Sequence, residues 1–196
     1  MLLLVRHGES EANAGGLLVG RAESPLTAAG RDQVAALARR LSAHHVGRVV
    51  SSPLGRAQET ARALGLGPVE IDPRWVEVDY GSYEGQALQA VPAEVWRSWR
   101  ADPAYRPPGG ESLAEVGARV RAACEELFER DGAGARAEAD VVVVSHVSPI
   151  KAAVAWALGA GDDLAWRLQL STGSLTRVGW GAAGPVLTGY NEVPSG

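Results

Sequence analysis

A three-layer α/β fold, with helices on both faces of a mostly parallel central sheet, is predicted by two features of the sequence. Apolar runs of strand length alternate with amphipathic stretches of helical spacing. One run, Val141 to Val144, is apolar without interruption, the pattern of a central strand covered on both faces.

The elements follow in order. Leu2 to Arg6 reads as a short buried strand, and His7-Gly8 marks where the chain leaves the sheet edge. From Thr27, Val34, Leu37, Ala38 and Leu41 recur at helical spacing with Arg31, Arg39 and Arg40 between them, giving an amphipathic helix. Val46 to Ser51 is a second strand. Ser52-Pro53 supplies an N-cap and first-turn proline for a helix through Leu64, with Arg56 in its first turn. Ser112 to Glu115 has the capping-box pattern before a helix whose Leu113, Val116, Val120 and Leu127 share a face. Gly132 to Asp140 reads as a loop, after which Val141 to Val144 delivers Ser145-His146 at its end. Final strands are expected at Leu175 to Trp180 and Val186 to Tyr190, with 191–196 a loose tail.

The 196 residues, 46% hydrophobic and 21% charged, suffice for one substantial core, so a single domain over 1–196 is expected. A net charge of -4 gives no general attraction to nucleic acid or to an anionic membrane, and an anion must be captured by a local cationic pocket. The sole cysteine, Cys124, allows no internal disulfide and no cysteine-based metal site. The opening apolar run is too short for a signal segment and nothing approaches membrane-spanning length, so a soluble, cytoplasmic protein is expected, with a homodimer left open.

Three predicted strands end in chemistry-bearing residues: Arg6-His7, Ser51-Ser52 leading to Arg56, and His146. In open α/β sheets ligands bind outside the carboxyl ends of strands, so the three sets converge on one crevice. Two arginines and two histidines around one anion suit phosphoryl transfer, where the task is to position the group and stabilise charge on its oxygens.

Arg6-His7-Gly8-Glu9-Ser10 with Asn13 resembles the opening signature of the histidine phosphatase (phosphoglycerate mutase-like) superfamily. Gly20, Pro25-Leu26-Thr27 and Gly30 are similar to its next block, and Ser51-Ser52-Pro53-Leu54 with Arg56-Ala57 and Thr60 to the one after. Glu77 with Gly81, Glu84 and Gly85 resembles its acidic segment, and Ser145-His146 its second histidine. The resemblance runs in order from about residue 2 to about 150. It implies a phosphoglycerate mutase-like fold and a phosphomonoester hydrolase acting on a small phosphorylated metabolite, without cofactor or metal. It makes His7 the phosphorylated nucleophile, with Arg6, Asn13, Arg56 and His146 binding phosphoryl oxygens, and Ser10, Arg21 and Val147 as further candidates. A neutral imidazole can attack phosphorus if its other ring nitrogen is tied by a hydrogen bond and cations neutralise the dianion. The resemblance makes Glu77 the proton donor to the leaving alkoxide, and Glu84 a structural carboxylate.

Val147 departs from the pattern, because a glycine usually follows the second histidine. A valine still offers its backbone N–H but excludes φ > 0. Ser145 to Ile150 resembles instead a branch of small phosphatases that includes α-ribazole phosphatase-like and broad-specificity acid phosphatase domains. A mutase of this family is expected to be longer, with added segments closing the site. The other rival readings are a non-catalytic phospho-ligand module and a metal site built on His7, His44, His45 and His146; adjacent His44 and His45 point in different directions and no carboxylate-histidine motif accompanies them. Residues 86–110, with Trp96, Trp99 and Tyr105, read either as a cover over the crevice or as a helix packed on the body, and Arg97, Arg100 and Arg106 as substrate contacts or solvated groups.

Overall fold

The structure, a computed structural model, describes residues 1–131, 139–181 and 183–194. Its strands are β1 (Leu2–Arg6), β2 (Val46–Ser51), β3 (Val69–Ile71), β4 (Asp140–Ser145), β5 (Leu175–Gly181) and β6 (Gly184–Glu192). Its helices are α1 (Glu11–Ala14), α2 (Ala28–Leu41), α3 (Gly55–Leu64), α4 (Ala93–Ala101), α5 (Leu113–Asp131) and α6 (Val147–Ala157).

The six strands form one sheet in the order β3-β2-β4-β1-β5-β6. The first four run parallel, while β5 and β6 are antiparallel to their neighbours. Alternation along β1 and β4 divides the core. Leu2, Leu4, Val141 and Val143 face α5 and α6, packing with Val116, Val120, Ile150 and Ala153. Leu3, Val5, Val142 and Val144 face α2 and α3, packing with Val34, Leu37, Leu41 and Ala61. These strand residues are at most 3% exposed, which is why both read as continuous apolar runs. The expected three layers follow from these two packings. A third cluster joins α4 to the surrounding loops through Leu18, Val91, Val95 and Trp99.

Register carries the site. Arg6 pairs with Ser145 and Ser51 with Val144, so β1, β2 and β4 end at one edge of the sheet. His7 N–H then bonds to the Ser145 carbonyl at 3.1 Å, and Ser52 N–H to that of Val144 at 3.0 Å.

Several expectations need correction. The third helix begins at Gly55 after Leu54, not at Ser52-Pro53. Ser52 Oγ accepts from Leu54 N–H at 3.3 Å and lies 2.7 Å from Nε2 of His146, so the serine read as a cap holds a histidine instead. β4 starts at Asp140, whose carboxylate bonds to the chain's amino group at 2.6 Å and to His44 Nδ1 at 2.7 Å; the rest of the expected loop, 132–138, lies outside the described residues. The tail does not begin at Asn191. β6 runs through Glu192, Asn191 Oδ1 accepts from Ser171 N–H at 2.7 Å, and Glu192 pairs with Arg177 and Arg40. The capping box at Ser112 and Glu115 forms as read, with Ser112 N–H donating to the Glu115 carboxylate at 2.9 Å and Glu115 N–H to Ser112 Oγ at 3.2 Å. No helix among the described residues is long and apolar enough to cross a membrane.

Candidate active site

His7 leaves β1 in a turn that two glycines allow. A Cβ on Gly8 would lie 2.4 Å from the Gly30 carbonyl oxygen, and one on Gly30 would lie 2.1 Å from that of Glu9, so the turn packs against the first turn of α2 at backbone contact distance. Gly8 N–H also donates to Thr60 Oγ1 at 3.2 Å, and that hydroxyl donates to the Arg56 carbonyl at 2.8 Å. Thr60 thereby ties the His7 turn to the helix carrying Arg56.

The imidazole of His7 is 3% exposed. Its Nδ1 lies 2.7 Å from the Gly8 carbonyl, which can only accept, so Nδ1 carries the hydrogen and Nε2 the lone pair. Arg56 Nε–H points at Nε2 from 3.3 Å, consistent with that assignment. Burial lowers the pKa of His7 well below the usual histidine value, and the charges of Arg6 and Arg56 lower it further. The ring is therefore neutral near pH 7, as a nucleophile requires.

Arg56 is held as firmly. Its Nη1 and Nη2 donate to the carbonyls of Ala22 and Gly20 at 2.9 and 2.7 Å. That loop is itself fixed by Glu84, whose Oε1 accepts from Gly20 N–H at 2.8 Å and Ala22 N–H at 3.1 Å. Glu84 thus acts on the cation through two backbone amides, matching its expected structural part. Glu84→Ala should lower kcat/KM about tenfold or more by loosening Arg56, since two hydrogen bonds of roughly 1 kcal/mol each are lost. Glu84→Gln, which keeps an amide oxygen for the same two N–H groups, should recover most of that loss in steady-state assays.

Arg6 Nη1 donates to the Leu170 carbonyl at 2.6 Å, while its buried Nε has no partner among the described residues. Burial lowers both guanidinium pKa values, with Glu77 opposing the effect, and both groups remain cationic at neutral pH.

His146 lies edge-on to His7, ring centres 5.0 Å apart, and is fully buried. Its Nε2 faces Ser52 Oγ, and its Nδ1 is without a partner among the described residues. Burial also depresses its pKa well below the usual value, helped by His7, Arg56 and Arg6.

Glu77, 4% exposed, sits at the N-terminus of α6. Its Oε1 accepts from Val78 N–H at 2.8 Å and Ser148 N–H at 3.1 Å, and its Oε2 from Val147 N–H at 3.0 Å. One lone-pair site on Oε2 stays open for a proton, apart from a long 3.4 Å approach of Ser148 N–H. The arrangement corrects the expectation for Val147, whose N–H serves the glutamate rather than phosphate. Valine is also no obstacle there, because the residue opens a helix and needs no positive φ.

A cavity of about 180 Å³ is lined by Arg6, His7, Ser10, Asn13, Arg56 and Glu77 among others; His146 is not on its wall but lies fully buried beside His7. Ser10 caps α1, and its N–H and hydroxyl both engage Asn13 Oδ1, at 3.1 and 3.0 Å, leaving the Asn13 amide N–H groups for a ligand. Arg21 is not brought in. It is 45% exposed and pairs with Glu111 at 3.2 Å and Asp79 at 3.5 Å. Arg106 pairs with Glu115, Arg97 is exposed, and Arg100 stacks on Trp166 with its guanidinium carbon 5.6 Å from the ring centre. Sequence reading missed Thr60, the Gly20–Ala22 carbonyls and Ser52 as supports; Thr60, Gly20 and Ser52 left a trace inside matched motifs, and Ala22 left none.

Two buried neutral histidines have a thermodynamic consequence. Both have folded pKa values below the unfolded value of about 6.5, so the unfolded chain binds more protons as pH falls through 6.5, and stability drops. Each contributes up to about 1.4 kcal/mol per pH unit below that point, and nothing above it. Urea midpoints should therefore be flat from pH 7 to 8 and fall steeply between pH 6.5 and 5; a flat profile through that window would mean that the histidines are not held neutral.

Residues 2–193 match the histidine phosphatase superfamily (branch 1), and the chain belongs to it. Over 185 residues it is 40% identical to the bifunctional protein Rv2228c of Mycobacterium tuberculosis, covering 89% of this chain and 49% of that one, so it spans about half the length of that relative. It is 35% identical over 185 residues to the probable phosphoglycerate mutase GpmB of Yersinia enterocolitica, covering 90% and 83% of the two chains. The solved mycobacterial glucosyl-3-phosphoglycerate phosphatase Rv2419c, complexed with VO3, superposes with a TM-score of 0.86 at 30% identity, over 97% and 98% of the chains. Solved α-ribazole phosphatases are among the structural neighbours as well, in keeping with the branch that the Ser145 to Ile150 segment resembles.

Proposed function

We propose that this chain hydrolyses phosphomonoesters of small metabolites through a phosphohistidine at His7. The observation that carries the reading is the tautomer of His7: its lone-pair nitrogen opens on a cavity lined by two guanidinium groups, with a glutamate at the same wall. Nε2 attacks phosphorus as the bond to the ester oxygen breaks, and Glu77 donates its proton to the departing alkoxide. Arg6 and Arg56 stabilise the charge on the phosphoryl oxygens, and Asn13 and His146 Nδ1 are suited to donate to them. Water then attacks phosphorus, Glu77 takes its proton, and the N–P bond breaks to return free His7 and phosphate. Relatives named as phosphatases of small phosphorylated metabolites support the same reading.

The similarity to a probable phosphoglycerate mutase keeps a transferase reading in view. The cations lining the cavity are Arg6 and Arg56, and Arg56 Nε–H points at His7 Nε2, which favours a substrate with one phosphate. The test is an assay with p-nitrophenyl phosphate and with 3-phosphoglycerate plus its bisphosphate cofactor, in excess chelator. Metal-independent phosphate release, inhibited by vanadate, is expected; rapid interconversion of the 2- and 3-phosphoglycerates without phosphate release would establish the mutase, and activity restored only by a divalent ion a metal enzyme.

A further inference from the structure

We infer that a second cavity beside His7 receives the alcohol part of the substrate, and that this part is a single apolar ring bearing a carboxylate. The inference rests on the phosphomonoesterase reading and gives it a substrate class. The cavity measures about 170 Å³, and four residues, Leu18, Tyr80, Leu88 and Val147, line both it and the cavity holding His7. A ligand whose phosphate lies at His7 therefore meets this space next. Its size matches one ring, since an apolar cavity of about 150 Å³ accepts benzene.

The far wall sets the chemistry. It is built by Trp96 and Trp99 of α4 and by Trp166, with ring centres 5.4 Å apart for the first pair and 6.3 Å for Trp96 and Trp166. Trp166 Nε1–H is already spent on the Trp99 carbonyl at 3.1 Å, and the Tyr80 ring stands edge-on to Trp99 with ring centres 5.7 Å apart. These groups offer faces and edges to a ring and few partners to hydroxyls, so a small polyol would enter with polar groups unpaired.

Lys151 is the one charged side chain lining this cavity. One of its three N–H donors bonds to the Ala165 carbonyl at 2.9 Å, which leaves two for a ligand. Among the described residues no salt bridge holds it, and burial lowers its pKa, with the charge of Glu77 opposing. A carboxylate on the ring would supply the missing counter-charge in a partly desolvated site. In residues 86–110, α4 packs on the body through Trp99, 2% exposed, and Trp96 and Trp99 also line the second cavity.

Three esters with closely similar leaving alkoxides test this: 4-carboxybenzyl, benzyl and 2-hydroxyethyl phosphate. The kcat/KM values should fall in that order, by about tenfold or more at each step. Lys151→Met should bring the first two together, and Ala165→Leu, which fills the cavity, should narrow the gap between benzyl and 2-hydroxyethyl phosphate. If 2-hydroxyethyl phosphate matched or exceeded benzyl phosphate, the apolar subsite would be wrong while the phosphatase reading stood. A carboxylate that gave no advantage, or one that survived in Lys151→Met, would overturn the role of Lys151. Release of phosphate from p-nitrophenyl phosphate but from none of the three would overturn the subsite alone; release from none of the four would overturn the phosphatase reading, and the subsite with it.

Discussion

His7→Ala is expected to lower kcat/KM by about 10⁴-fold or more, because it removes the atom that bonds to phosphorus and leaves the remaining groups only binding and charge stabilisation to offer. The fold should survive. The ring is joined to the rest of the protein by a bond to the adjacent Gly8 carbonyl and a 3.3 Å contact from Arg56, while the turn around it is held by backbone bonds to β4 and by Thr60. Rapid-quench labelling of the unsubstituted protein should trap an acid-labile, base-stable phosphoryl adduct that His7→Ala lacks. The same variant should lose part of the acid sensitivity described above, since one of the two buried neutral rings is gone. Near-normal turnover in His7→Ala would exclude the covalent route, whatever the other residues contribute.

Glu77→Gln should separate substrates by leaving group. An alkyl ester leaves as a strongly basic alkoxide and needs the proton, so its phosphorylation step should slow by about 10²-fold to 10³-fold; p-nitrophenyl phosphate scarcely needs it and should slow by less than about tenfold. The amide carries a second cost independent of acid catalysis. Glu77 accepts N–H bonds on both oxygens, and the amide nitrogen of glutamine would have to face one of those N–H groups. That cost falls on both esters alike, so the ratio between them is the measure of proton transfer. Arg56→Ala supplies the contrast, since both esters present the same phosphoryl group to the same cation and should suffer equally. Slow dephosphorylation would compress the difference in the steady state, and pre-steady-state measurement of the first step removes that ambiguity. If Glu77→Gln impaired both esters equally while Glu84→Gln showed the selective loss, the acid would be Glu84; its position behind the Gly20–Ala22 loop argues otherwise.

Much of this site could be read along the chain because it is built at strand ends. Buried parallel strands are apolar on both faces, so β1 and β4 stand out as runs and β2 through its buried second half, and the residues just beyond them, His7, Ser52 and His146, are located to the residue. Short or exposed elements gave no such signal. β3 has three residues, none buried, and the 3-10 turns around residues 73–75, 81–83 and 88–90 carry no period long enough to detect. α6 was hidden for the opposite reason, since it is apolar nearly all round and continues the hydrophobic character of β4.

What the sequence determined by itself was therefore the order of the layers and which polar residues stand at the edge where β1, β2 and β4 end. Hydrophobic period and turn chemistry are local properties, fixed within a few residues of each position. What only the tertiary structure decided was the partner of each polar group. Ser52 reads as a helix cap and meets His146; Val147 reads as a phosphate donor and meets Glu77; Arg21 reads as a ligand and meets Asp79 and Glu111. In each case the competing partner comes from a segment tens of residues away. Buried polar groups must be satisfied by whatever the packing brings within about 3 Å, and a one-dimensional sequence carries no record of that distance.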